Sequence, residues 1–332
     1  MKKIVVIGTG SWGTALGLIL AKNGHEVTMW EWSFEQAQNL KNDRENKKYL
    51  PGIKFPENMK IENNIEGILE DAKMVVFSVP SQVLRGVVKK LSDQIKEDMI
   101  IVNTAKGLEI STGERLSEVI KDEVLGKFHK NIVILSGPTH AEEVAAGVPT
   151  TIVAAGDLEV AKQVQVYFTN SNFRVYSGKD IIGAEIGGAV KNCLAIGAGI
   201  ADGIGYGDNT KAALMTRGLA EMIKYGVALG AQEKTFSGLT GIGDLIVTCG
   251  SQHSRNRYVG EKLGKGQKIK EILSEMVMVA EGVPTVKAVY ESAKKIGVEM
   301  PIVKGIYEVL YEEAEPKDVV AALMARDLKE EF

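Results

Sequence analysis

At 332 residues with 45% hydrophobic content, the chain is long enough for two domains and a sizeable buried core. A formal net charge of −3, with both signs interspersed, gives no general attraction to nucleic acid or to an anionic membrane surface. Cys193 and Cys249 lie far apart, with no CxxC pattern and no His/Cys cluster at zinc-ligand spacing; they read as buried, reduced thiols of a cytoplasmic protein, and no metal is expected.

The chain opens MKKIVVIGTGSWGTALGLIL. A basic start followed by apolar residues can mark a secretory leader, but Gly-Thr-Gly-Ser cuts the run short and no small-residue cleavage site follows, so no leader is expected. Lys3–Ile7 instead reads as a buried parallel strand, Gly13–Lys22 as a helix closed by Asn23-Gly24, and His25–Trp30 as a second strand. A glycine turn between strand and helix is the setting that the dinucleotide fingerprint requires. Gly8 permits the tight turn, Gly10 lets the backbone approach a pyrophosphate, and Gly13 lets helix pack on strand. The N–H groups around Ser11 and Trp12 would face the phosphates. Glu31 follows eighteen residues past Gly13, where a carboxylate hydrogen-bonds the adenosine ribose. It would repel a 2′-phosphate by roughly 1–3 kcal/mol, so NAD(H) is expected over NADP(H), with Trp32 near the adenine.

Further strands are expected at Met74–Val79, Met99–Thr104, Ile132–Leu135, Thr150–Ala155 and Phe173–Tyr176, with helices such as Gly113–Leu125 and Leu158–Phe168 between them. This alternation predicts an α/β, Rossmann-type, mostly parallel sheet domain over residues 1–178. From about Asp180 the strand texture ends. Ile181–Ile200, Thr210–Leu229 and Val283–Ile296 carry helical periodicity, predicting an all-helical second domain over 179–332. The most apolar later stretch contains Lys191, Asn192 and Asp202, so no membrane insertion is expected.

Four stretches place polar residues in glycine-rich, apolar surroundings. NTAKGLE puts Lys106 just after a strand, on the ligand-binding edge of an open sheet. SGPTHAEEVAAGVPT does the same with Gly137 and Thr139, and opens a helix at Ala141. GGAVKNCLAIGAG sets Lys191 and Asn192 mid-helix among apolar residues, where an ammonium must be partnered or have its pKa lowered, as suits a general base. GIGDLIVTCGSQHSRNR carries Asp244 and Thr248, which share a face if that segment is helical, so that Asp244 offsets Lys191 or simply caps the helix. Ser254-Arg255-Asn256 reads as a capped helix start, an anion site to which Arg255 adds bidentate phosphate recognition, pointing to a phosphorylated small molecule. His140 adjoins this region and reads as lining the cleft; His25, His129 and His253 read as surface.

Taken together, GTGSWGTAL, VPS, AKGLE, SGPTHAEEVAAGVPT, GAVKNCLAIGAGIADGIGYGDNTKAALMTRGLAEM, GLTGIGDLIVTCGSQHSRNR and VAEGVPT resemble the bacterial type of NAD(P)-dependent glycerol-3-phosphate dehydrogenase, from about residue 3 to residue 310. That resemblance implies interconversion of sn-glycerol 3-phosphate and dihydroxyacetone phosphate, supplying phospholipid synthesis. It places the proton-transferring lysine on Lys191 and other substrate-side groups on Lys106, Gly137, Thr139, Asn192, Asp244, Thr248, Ser254, Arg255 and Asn256. It places cofactor contacts on Ser11, Trp12, Lys106, Ala141, Arg255, Val279 and Glu281. Many relatives carry Arg or His where this chain has Glu31-Trp32, so the family's use of NADPH is not carried over to it, and NAD(H) or NADP(H) is implied with NAD(H) preferred. Rival readings are a beta-hydroxyacid or ketopantoate-type dehydrogenase and a nucleotide-sensing binding module. Glycine-rich helices also suggest a homodimer.

Overall fold

The computed structural model describes residues 1–276, 278–328 and 330–331. Among the described residues ten strands are formed: β1 (Lys3–Ile7), β2 (Glu26–Trp30), β3 (Glu45–Asn46), β4 (Leu50–Lys54), β5 (Met59–Glu62), β6 (Met74–Phe77), β7 (Ile100–Asn103), β8 (Ile132–Ser136), β9 (Thr150–Gly156) and β10 (Phe173–Gly178). Eight of them make one sheet in the order β10-β9-β8-β7-β6-β1-β2-β5, while β3 and β4 form a separate hairpin. Within the large sheet every pairing is parallel except β8 with β9. The runs of Val and Ile in β1, β6 and β7 are continuous rather than alternating because helices cover both faces of the sheet. Ile4 and Val6 join one core layer, and Val5 and Ile7 the other.

The helices of this half are α1 (Ser11–Lys22), α2 (Phe34–Asp43), α3 (Leu84–Leu91), α4 (Leu116–Glu123), α5 (Ala141–Ala145) and α6 (Leu158–Phe168). Five residues of α5 span only about 7–8 Å, too little to carry the chain back along the sheet, and β9 accordingly returns antiparallel to β8. The longer α6 makes the crossover, and β10 runs parallel to β9, both opposed to the rest of the sheet. Strand order reverses at β1, which lies between β2 and β6, so the chain opens a crevice beyond the carboxyl ends of β1 and β6.

After β10 the protein is helical: α7 (Ile181–Ile204), α8 (Asp208–Ala228), α9 (Asp244–Gly250), α10 (Arg255–Gly264), α11 (Ile269–Glu275), α12 (Gly282–Lys295), α13 (Pro301–Tyr311) and α14 (Pro316–Met324). Asp180 caps α7 by accepting from the Gly183 N–H. By length and composition α7 could cross a membrane, yet 89% of its apolar window is buried inside the protein, and it is the axis of the second core. Glycines let α10 lie directly on it. A Cβ at Gly260 would strike the Ile196 carbonyl oxygen, and one at Gly199 the Arg257 carbonyl oxygen. The small-residue surface that suggested a second copy of the chain is thus spent, at these positions, on a contact within it.

Candidate active site

The glycine turn has the geometry that its spacing predicts. Gly8 adopts φ +109°, and a Cβ there would meet the Ser78 carbonyl oxygen. A Cβ at Gly13 would strike the Gly8 carbonyl oxygen, so the third glycine is what brings α1 down onto β1. At Gly10 a Cβ would meet nothing within 4 Å; that backbone faces open space. No side chain caps α1 and no acid occupies its first turn, which leaves its first N–H groups and positive dipole end for an anion.

Beside this turn runs a cleft of about 660 Å³, lined from both halves of the chain. The sheet half contributes Gly8, Gly10, Ser11, Trp12, Gly13, Glu31, Trp32, Lys106, Thr139, His140 and Ala141. The helical half contributes Lys191, Asn192, Thr248, Ser254, Arg255, Asn256, Val279 and Glu281. Gly137 and Asp244 stand behind this wall and hold its lysines. Lys106 Nζ donates to the Gly137 carbonyl (3.0 Å) and to Asp244 Oδ2 (2.6 Å). Lys191 Nζ donates to Asp244 Oδ1 (2.9 Å) and Thr248 Oγ1 (2.8 Å). One carboxylate, 1% exposed, is therefore clasped by two ammonium groups from different elements.

Local structure explains the placement. Leu239–Gly243 forms one turn of π-helix immediately ahead of α9, and a Cβ at Gly187 of α7 would strike its Thr240 carbonyl oxygen. The close approach lets Asp244, at the start of α9, reach Lys191 on α7; Thr248 lies one turn further along the same face. The helical alternative for Asp244 is thus realised, with the carboxylate offsetting Lys191 rather than capping α9. Burial lowers the Lys191 pKa, Asp244 opposes and Lys106 reinforces this, and the result is about 8. Burial works to raise Asp244, but the two ammonium groups outweigh it and hold the carboxyl below its usual range.

Further along the wall, Ser254 caps α10 by accepting from the Arg257 N–H. Arg255 donates to the Val279 carbonyl at 2.8 Å. Asn192 Oδ1 accepts from Asn256 Nδ2 (2.9 Å), whose own Oδ1 accepts from the Gly282 N–H (2.9 Å). Glu281 accepts from both the Ser81 hydroxyl (2.5 Å) and its N–H (3.2 Å), tying the helical half to the turn after β6. Glu31 is buried, accepting from the Thr9 hydroxyl and the Ser33 N–H, while Trp32 is 78% exposed beside it.

The family model described as NAD-dependent glycerol-3-phosphate dehydrogenase N-terminus matches residues 3–161, and the corresponding C-terminus model matches residues 180–321. The chain belongs to this dehydrogenase family. A glycerol-3-phosphate dehydrogenase [NAD(P)+] of Chlorobium phaeobacteroides is 50% identical over 331 residues, covering 99% of each chain. One from Listeria monocytogenes is 48% identical, covering 99% of this chain and 97% of the other. The crystal structure of glycerol-3-phosphate dehydrogenase from Coxiella burnetii matches with a TM-score of 0.93 at 35% identity, over 98% of this chain and 99% of that one. The dehydrogenase is accordingly an NAD(P)-dependent oxidoreductase that interconverts glycerol 3-phosphate and dihydroxyacetone phosphate, in place of the hydroxyacid and binding-module readings.

The residues of this dehydrogenase fit the nucleotide. The backbone at Gly10 is open, α1 presents uncapped N–H groups, and Trp12 Nε1 at the cleft wall is buried without a hydrogen-bond partner. Sequence reasoning missed several supports. Ser81 lies in the VPS motif, but its bond to Glu281 joins residues two hundred apart. Lys48 and Tyr49 reach the cleft only because β3 and β4 fold back as a hairpin. His253 is exposed as expected, yet it also lines the cleft.

Proposed function

We propose that Lys191 is the proton-transferring group of the reaction and that Arg255, Asn256 and the start of α10 hold the substrate phosphate. The observation that carries this reading is the Lys106–Asp244–Lys191 clasp at the cleft wall. When bound, the nicotinamide nucleotide exchanges a hydride with the substrate's central carbon. In the reducing direction Lys191, as an ammonium, gives its proton to the carbonyl oxygen as that oxygen gains charge. Lys106, fixed by Asp244 and Gly137, adds a second positive charge beside the oxygen. Thr248 and Asn192 keep the amine and substrate oxygens in register, with Thr139 at the facing edge. In oxidation neutral Lys191 takes the hydroxyl proton. Arg255 presents a guanidinium to the phosphate, where charge-assisted hydrogen bonds contribute about 1.5–3 kcal/mol each.

At the other end of the cleft, the buried Glu31 carboxylate disfavours a 2′-phosphate, and Trp32 offers an exposed ring to the adenine. We read this as a preference for NAD(H) over NADP(H). The division between the halves is drawn at 178/179, where β10 gives way to the capped start of α7. Buried free Cys193 and Cys249 support a cytoplasmic setting, in which the product feeds phospholipid synthesis. Mixing purified protein with dihydroxyacetone phosphate and each reduced nucleotide tests the reading. Turnover with NADH is expected to exceed that with NADPH about tenfold or more in kcat/KM, from the charge repulsion above. A clear NADPH preference would overturn the role given to Glu31.

A further inference from the structure

The proton-transfer scheme gives no step to His140 or His253. His140 is the residue before α5, at the carboxyl edge of the sheet; His253 lies between α9 and α10, immediately before the capping Ser254. They come from the two halves of the chain, and both line the cleft. Their ring centroids are 5.6 Å apart, with the planes inclined at 52°. His140 Nε2 is buried and has no hydrogen-bond partner. A buried imidazole nitrogen left unpaired is costly, which points to a partner supplied from outside the chain.

The spacing suits a metal ion as that partner. An imidazole nitrogen sits about 2.0–2.1 Å from a zinc-like ion, and the ring centre lies about 1.1 Å further back. Two such arms meeting at tetrahedral to trigonal angles put the ring centres about 5.2–5.5 Å apart, a side-chain rotation away from the observed separation. We propose that His140 and His253 form a two-imidazole site for a divalent transition-metal ion such as Zn²⁺, whose occupation staples the cleft walls together and inhibits turnover. Burial holds the His140 pKa below the usual imidazole range; the Lys191 ammonium and His253 add to the effect, while Glu142 and Glu143 oppose it. Imidazole ligands favour Zn, Ni and Cu, whereas Mg²⁺ prefers carboxylate, carbonyl and water oxygens. Among the described residues no group of three His, Cys, Asp or Glu side chains is arranged to hold a metal, so water completes the shell and binding is reversible.

The test is a calorimetric titration of the purified enzyme with ZnCl₂ in a phosphate-free, non-chelating buffer, alongside inhibition of NADH oxidation. Wild type should bind one Zn²⁺ with micromolar affinity and lose activity in parallel, recover it with EDTA, and ignore equimolar Mg²⁺. His253→Ala should lose at least about tenfold in both Zn²⁺ affinity and inhibition, the latter read against its own metal-free turnover; His140→Gln should lose the same affinity. Absence of Zn²⁺ binding in wild type, or unchanged affinity in His253→Ala, overturns the proposal. Because calorimetry reads metal binding without substrate, its failure leaves the assignment of Lys191 standing.

Discussion

An ammonium removed from water gives up hydration that one carboxylate and one hydroxyl only partly replace, and if Lys191 transfers the proton as proposed, this sets the working pH. With the pKa drawn down to about 8, the side chain is mostly charged below that value and mostly neutral above it. The reducing direction needs the charged form, so its rate should fall as pH rises through about 8. Oxidation of glycerol 3-phosphate needs the neutral form and should rise over the same range. Measuring kcat in both directions from pH 6.5 to 9.5 checks this, and parallel profiles would contradict it. Lys191 is legible in the sequence because an ammonium among Ala, Val, Leu and Ile demands a partner. What Glu31 touches is not, because its bonds to Thr9 and Ser33 depend on how the glycine turn folds back over the end of β2.

At the scale of elements, the crossing of α7 and α10 fixes how far Arg255 and Asn256, the groups proposed to hold the phosphate, stand from the amine. Asp202 on α7 reinforces the contact by accepting from Arg257 of α10 at 2.7 Å. Gly260→Ala would drive a methyl group into the Ile196 carbonyl and force the helices apart. Such overpacking costs about 1–3 kcal/mol, and the shift of Arg255 and Asn256 should raise the KM for dihydroxyacetone phosphate several-fold more than it lowers kcat. Chemical denaturation together with steady-state kinetics checks both effects; wild-type values for both would show that the crossing is not constrained. Periodicity made the long elements readable: α6 is Leu158–Phe168 as expected, and α7 runs four residues past its expected end. The β3–β4 hairpin and edge strand β5 were hidden, since Glu45–Asn46 is too short for any pattern and Leu50–Lys54 is interrupted by Pro51-Gly52. The antiparallel turn of β9 was hidden too, because strand direction follows from the length of α5 rather than from the strand's own residues.

Across the whole molecule, side-chain hydrogen bonds among the described residues tie the two halves at three places beside the cleft and behind it: Lys106 to Asp244, Ser81 to Glu281, and Arg115 to Glu185. The third tie lies away from the chemistry. Glu185 of α7, its side chain 3% exposed, accepts from Arg115 at 2.6 Å and from the Ser117 N–H and hydroxyl, each at 2.6 Å. Arg115→Met would strand a buried carboxylate and should cost about 3 kcal/mol of stability. Urea denaturation measures this, and a loss below about 1 kcal/mol would show the tie to be dispensable. Polar residues held in glycine-rich segments announced both walls of the cleft, whereas ties between residues far apart in the chain could only be read once the halves were docked. The account as a whole depends on the amine of Lys191 being the proton donor. Lys191→Met, followed by loss of NADH absorbance with dihydroxyacetone phosphate and by NADH binding in calorimetry, tests this most directly. The expected result is turnover reduced at least about a thousandfold with NADH still bound; turnover near the wild-type rate would contradict the mechanism.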